Sequence, residues 1–232
     1  MKTFTSVAGA GVTALALGLA LVGCGSDSST EATSSSSTAS SADGTSPAPA
    51  GESTAPVPTG PNKTIRDYIT ESGIKETAVR RGDPGPTVNL PLPPGWQQRD
   101  DLQGAPYAAL VFPATRVPAN PPRIVALMSK LTGDVDPQKL LEYAPNELQN
   151  MPGWQSGNGA VRNTLSGFDA VQIAGAYQVE NKKGLIAQKT VVIPDGDDVY
   201  VLQINAYSDQ SEGPILGDAT ALVDQQAKIT LT

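Results

Sequence analysis

Between Gly25 and Lys63 the chain carries one large apolar side chain, Val57, among 11 Ser, 6 Thr and repeated Ala-Pro steps. Such a run has almost nothing to bury, so it cannot offset the entropy of ordering its own backbone and is expected to stay disordered. Folding is thereby confined to residues 64–232, which is room for one ordinary domain and not two. Taken as a flexible chain, the 39 residues from Gly25 to Lys63 span roughly 35 Å r.m.s.. The Pro-rich end, Pro47 to Pro61, should stiffen it, and the run reads as a tether.

What the tether is fastened to is written upstream of it. Residues 1–23 read as a secretory signal, with Lys2 as a minimal positive start and Val7–Val22 as an uncharged Ala/Leu/Gly/Val stretch. That stretch is short for a membrane span, which needs roughly 20 apolar residues. It ends in Leu21-Val22-Gly23-Cys24, which resembles the lipobox of bacterial lipoproteins. The resemblance implies that the Cys24 thiol receives a diacylglyceryl group and that cleavage makes Cys24 the new N-terminus. Two acyl chains hold a protein on a membrane durably, where one does so only reversibly. Three segments follow: signal peptide 1–23, lipidated cysteine and tether 24–63, globular domain 64–232. The domain is expected on the extracytoplasmic face of the cell membrane, anchored by lipid.

Composition excludes much chemistry. There is no histidine, so Ser-His-Asp and Cys-His nucleophile pairs and a histidine base are ruled out. One cysteine rules out an internal disulfide framework. A net charge of −7 and a sequence pI near 4.6 repel phosphate backbones, so no nucleic-acid partner is expected. Gly-x-Ser-x-Gly, Gly-x-Gly-x-x-Gly and the P-loop are absent, and no cofactor is implied. Asp195-Gly196-Asp197-Asp198 lacks the length and the later glutamate of a calcium loop and reads as a hairpin turn. Ser156-Gly157-Asn158-Gly159 has no helix after it and reads as a flexible loop rather than a phosphate cradle.

The periodicities predict an α+β domain. Thr64 caps a short helix with Ile65, Tyr68 and Ile69 on one face, Asp67 at its third position and Gly73 after its end. Strands are predicted at 77–81, 87–90, 107–112 and 123–131. Pro91-Leu92-Pro93-Pro94-Gly95-Trp96 is expected to form a stiff corner that presents an indole. Asp136-Pro137 starts a helix towards Asn150 that Pro145 kinks or splits. Then comes a meander over 168–179, 185–193 and 199–207, a helix over 214–225 and a terminal strand over 228–231. That order gives an antiparallel sheet flanked by helices, not a doubly wound fold.

The meander carries the candidate binding residues. Pairing Val179 with Ile186 and Val192 with Val201 sets Tyr177 opposite Gln188, Thr190 opposite Gln203, Gln188 opposite Asn205 and Ile186 opposite Tyr207. One sheet face then gathers neutral amides and phenols beside Val171, Ile173, Val192 and Val201. The other carries Ala174, Ala176, Val191, Ile193, Leu202 and Ile204 as a dry core. Amides and phenols beside aliphatics suit a ligand with hydroxyls at one end and hydrocarbon at the other. The expected ligand residues are Tyr177, Gln188, Gln203, Asn205 and Tyr207 for the head, with Leu141, Tyr143, Met151 and Trp154 over a chain.

Assembled, the chain resembles the mycobacterial LpqN/LpqT-type lipoproteins. The resemblance rests on the lipobox with its tether and on Gly60-Pro-Asn-Lys-Thr-Ile-Arg-Asp-Tyr-Ile69. It continues through Arg81-Gly-Asp-Pro-Gly85, Leu90-Pro-Leu-Pro-Pro-Gly-Trp96 and Leu127-Met-Ser-Lys-Leu-Thr-Gly-Asp-Val-Asp-Pro137. It ends in Ala187-Gln-Lys-Thr-Val-Val-Ile-Pro194 and Val201-Leu-Gln-Ile-Asn-Ala206. It implies a Mog1/PsbP-like α/β/α sandwich and a role in the mycomembrane. There such proteins bind trehalose-linked mycolate glycolipids and meet mycolate transporters and mycolyltransferases. No catalytic motif comes with it, and Cys24 is the one functional residue that transfers. The expected function is non-enzymatic binding and hand-over of a trehalose mycolate. The alternative is an adaptor that only docks transport or mycolyltransferase proteins. A large apolar pocket favours the first, and an exposed patch without one favours the second.

Overall fold

The computed structural model describes residues 60–101, 107–179 and 182–231. Signal, Cys24 and most of the tether lie outside them. The folded chain opens with α1 (Ile65–Glu71), β1 (Lys75–Val79), β2 (Thr87–Asn89), β3 (Gln97–Gln98), β4 (Ala108–Val111) and β5 (Arg123–Thr132). Next come α2 (Pro137–Tyr143), α3 (Asn146–Gln149), β6 (Gln155–Ser156) and β7 (Val161–Leu165). The meander β8 (Phe168–Val179), β9 (Lys182–Asp195) and β10 (Asp198–Asp209) precedes α4 (Gly213–Gln226) and β11 (Lys228–Thr230). Among the described residues the main sheet runs β3-β4-β5-β10-β9-β8-β6, with β1 also on β5 and β7 also on β8; β2 and β11 form a separate ribbon. Each recorded pairing is antiparallel.

Local chemistry sets several boundaries. Thr64 Oγ1 accepts from the Asp67 amide at 3.2 Å while the Asp67 carboxylate accepts from the Thr64 amide at 2.8 Å, closing a capping box. Pro145 offers no amide proton to continue the helix, and α2 and α3 separate around it. The second hairpin turns at Gly196 with φ +64°, a left-handed value that glycine adopts without strain. Its register, Val201 opposite Val192, is the expected one.

Helices cover both sheet faces, which makes the α/β/α sandwich. Under α4, Leu216, Ala219 and Val223 meet Val191, Ile193, Leu202 and Ile204. On the other face Leu140 and Leu141 of α2 and Tyr68 and Ile69 of α1 pack over Val171, Val192 and Val201.

Four expectations need correction. The first hairpin does not leave 180–184 as the turn between the expected strands 168–179 and 185–193: β9 begins at Lys182, and the connection falls at 180–181, outside the described residues. Tyr177 therefore faces Gly184 rather than Gln188, which lies opposite Ile173. The shift is four residues, an even number, so every side chain keeps its face. Trp96 is not presented by its proline corner; its indole is buried against Phe112, with ring centroids 5.9 Å apart, and Leu92 projects instead. Ala174 is exposed and Ala176 only half-buried, because that end of β8 runs beside β6, beyond the α4 core. Finally, β3, β6 and β7 are edge strands of two to five residues with few apolar positions, so alternation gave no sign of them.

Candidate functional site

The candidate site lies beneath α3. Leu148 of that helix is buried on Ile173 of β8 and Ile186 of β9, and Met151, Trp154, Tyr177 and Tyr207 pack around this contact. Two strand glycines make room for the rings. A Cβ at Gly175 would lie 2.6 Å from the Trp154 indole, and one at Gly184 would lie 2.5 Å from the Tyr177 ring. Glycine weakens a strand; at Gly184 its place is explained by the Tyr177 ring, and at Gly175 by the Gln155 carbonyl of β6, which a Cβ would strike, together with the Trp154 indole.

Inside this apolar collar is a polar floor. Gln188 and Asn205 are buried, and Gln188 Nε2 donates to Asn205 Oδ1 at 3.0 Å. Gln188 Oε1, the Thr190 hydroxyl two residues along the same face, and Trp154 Nε1 are buried with no hydrogen-bond partner among the described residues. Each such atom costs about 1–3 kcal/mol. Gln203 is half-buried and reaches Glu147 of α3 over a long 3.5 Å contact. The Arg123 guanidinium sits 4.6 Å from the centre of the Tyr207 ring. Burial is the largest influence raising the Tyr207 phenol above its ordinary pKa; Arg123 opposes it, while Glu147 and Tyr177 add to it. Collar and floor together offer neutral hydrogen bonds within an aromatic and aliphatic rim.

Seven of the nine expected ligand residues thus come together: Tyr177, Gln188, Gln203, Asn205, Tyr207, Met151 and Trp154. Two do not. Leu141 is 1% exposed in the α1–α2 core, and the Tyr143 ring packs at 5.9 Å on Tyr68 in the same cluster. Helical spacing gave them an apolar face without saying that α1 already covers it. Arg123, Glu147 and Gly175 went unnoticed in the sequence, and Gly184 was expected only as a turn residue. The two glycines were legible as interruptions of strand patterns, whereas Arg123 and Glu147 reach the site only through tertiary packing.

Two cavities among the described residues hold about 20 Å³ under α4, beside the Lys189–Asp224 ion pair, and about 200 Å³ between α2 and Pro194. Drug-sized ligands need roughly 300–1,000 Å³.

Residues 61–230 match the profile of the family described as probable lipoprotein LpqN. The chain belongs to the LpqN lipoprotein family. It is similar to lipoprotein LpqN of Mycobacterium tuberculosis (strain ATCC 25618 / H37Rv), 47% identical over 172 residues that make up 74% of this chain and 75% of that one. It is also similar to the putative lipoprotein LpqT of Mycobacterium leprae (strain TN), 29% identical over 139 residues, 59% and 61% of the two chains. Among solved structures it resembles LpqN, "involved in cell envelope biogenesis of Mycobacterium tuberculosis", with a TM-score of 0.71 over 74% of this chain and 99% of that one. The LpqN/LpqT resemblance and the α+β sandwich expected from sequence therefore both hold.

Proposed function

We propose that this member of the LpqN family is anchored through Cys24 to the outer face of the cell membrane. There, without catalysing a reaction, it binds the sugar head of a trehalose mycolate and hands it on during envelope biogenesis. The observation that carries this is the clustering of three unpartnered buried polar atoms with an amide pair and two phenols under one short helix. A hydroxyl-rich head supplies partners of both kinds: donors for Gln188 Oε1, and acceptors for Trp154 Nε1. The name given to LpqN of M. tuberculosis, a lipoprotein in envelope biogenesis, is consistent with this setting.

The test is titration of a short-chain trehalose ester into the folded protein. Replacing Gln188 and Asn205 together by Leu removes both members of the amide pair without orphaning either, so stability should change little. Binding should weaken about thirtyfold, for two hydrogen bonds worth about 2 kcal/mol together. Unchanged affinity in a folded variant places the site elsewhere. Cys24→Ala should leave the domain folded but free of membrane; retention of diacylglyceryl mass would refute the anchor.

The small cavity volumes favour a second reading, an adaptor docking mycolate transporters or mycolyltransferases. Native mass spectrometry of the detergent-extracted protein separates the two, since an adaptor carries no stoichiometric glycolipid.

A further inference from the structure

The lid of this site is tied to the tether. Gly60–Lys63, whose composition belongs with the tether, lie against α3. Asn150 Oδ1 accepts from the Asn62 amide and from Asn62 Nδ2, both at 3.1 Å, and Asn150 Nδ2 donates to the Asn62 carbonyl at 2.7 Å. One turn earlier, Asn146 Nδ2 donates to the Lys63 carbonyl at 2.6 Å. A Cβ at Gly60 would collide with the Asn150 side chain at 2.5 Å, so the chain runs flush along it.

Among the described residues, α3 is otherwise held by Leu148 on Ile173 and Ile186 and by the long Gln203–Glu147 contact. It has four residues and its N-cap Pro145 makes no side-chain cap, while the chain beyond it is held at Gly153, which lies flush on the Gln178 backbone of β8. Its inner surface offers Leu148 to the sheet and otherwise lies over the polar floor, where burial leaves Gln188 Oε1 and the Thr190 hydroxyl without partners. A closed helix above unpartnered polar atoms forgoes stability that an open, solvated one recovers. Lateral hydrogen bonds from Asn62 and Lys63 offset that cost.

We propose that residues 60–63 are a latch that holds α3 closed over the sugar site, so that the strand of chain leading to the lipid anchor controls access to it. This rests on the glycolipid reading for the identity of the ligand. A pull on the tether acts first on Asn62 and hence on α3, before it reaches any strand of the sheet. The latch also accounts for a polar floor that lies beneath a closed helix: the head enters only when α3 lifts from it.

The experiment compares native full-length protein with Asn150→Ala, which removes three of the four hydrogen bonds and no apolar contact with the sheet. Hydrogen exchange should accelerate about ten- to hundredfold at residues 145–154 and stay unchanged in β8–β10. The association rate of a short-chain trehalose ester should rise in parallel. Exchange that accelerates throughout the domain, or nowhere, overturns the latch. Local acceleration with an unchanged association rate overturns its control of access. If the native protein binds no trehalose ester while exchange still accelerates locally, the latch stands and the glycolipid reading falls.

Discussion

Tyr207 is a phenol whose burial raises its pKa above the ordinary value near 10. A group with a raised folded pKa favours the fold below its unfolded pKa, and the advantage is lost as pH rises through the folded one. The domain should therefore lose stability above about pH 10 more steeply than Tyr207→Phe does. Denaturant midpoints across pH 8–11 check this, and equal slopes would remove Tyr207 from the alkaline transition. Gly184 gives a second test at this scale. In Gly184→Ala the new methyl occupies the place of the Tyr177 ring tip, so the ring must turn away. Because a flexible side chain gives way, the expected cost is only about 1 kcal/mol. Near-ultraviolet circular dichroism should nevertheless change, and trehalose-ester affinity should fall at least severalfold. An unchanged affinity would show that Tyr177 does not touch the ligand.

At the scale of elements, α3 depends on its junction more than on its own length. A chain beginning at Gly60 should unfold within about 2 °C of one beginning at Gly25, since a segment with Val57 as its one large apolar side chain contributes little packing. A chain beginning at Thr64 loses four hydrogen bonds to α3, about 2 kcal/mol, and its Tm should fall by roughly 4–8 °C. Equal midpoints would mean that Gly60–Lys63 hold nothing. Composition placed these residues in the tether because neither Asn62 nor Lys63 is apolar; their partners lie more than eighty positions away. Leu148 is the helix's own contribution. Leu148→Ala opens a cavity over Ile173 and Ile186 and should cost about 2–4 kcal/mol, measurable by denaturant unfolding.

Across the whole molecule, the sheet is closed on one face by α4 and on the other by α1–α3, and an ion pair with a buried lysine marks the first closure. Lys189 is 6% exposed and its ammonium lies 2.7 Å from Asp224 of α4. Asp224→Asn strands a buried charge and should cost about 2 kcal/mol, with Asp224 itself partly exposed. Lys189→Met together with Asp224→Leu should recover most of that loss; if it does not, the pair is more than a satisfied charge. The sequence by itself determined the order of the helices and longer strands, the second hairpin's register and the face on which Gln188, Gln203, Asn205, Tyr177 and Tyr207 gather. Capping, proline and two-residue alternation are local, and an even slip leaves a face unchanged. Only the tertiary structure decided that α1 takes Leu141 and Tyr143 into the core. Likewise it brought Glu147 and Arg123 to Tyr207, and it bound Asn62 to Asn150. Those outcomes depend on which surfaces meet across long stretches of chain, and no local periodicity encodes that choice.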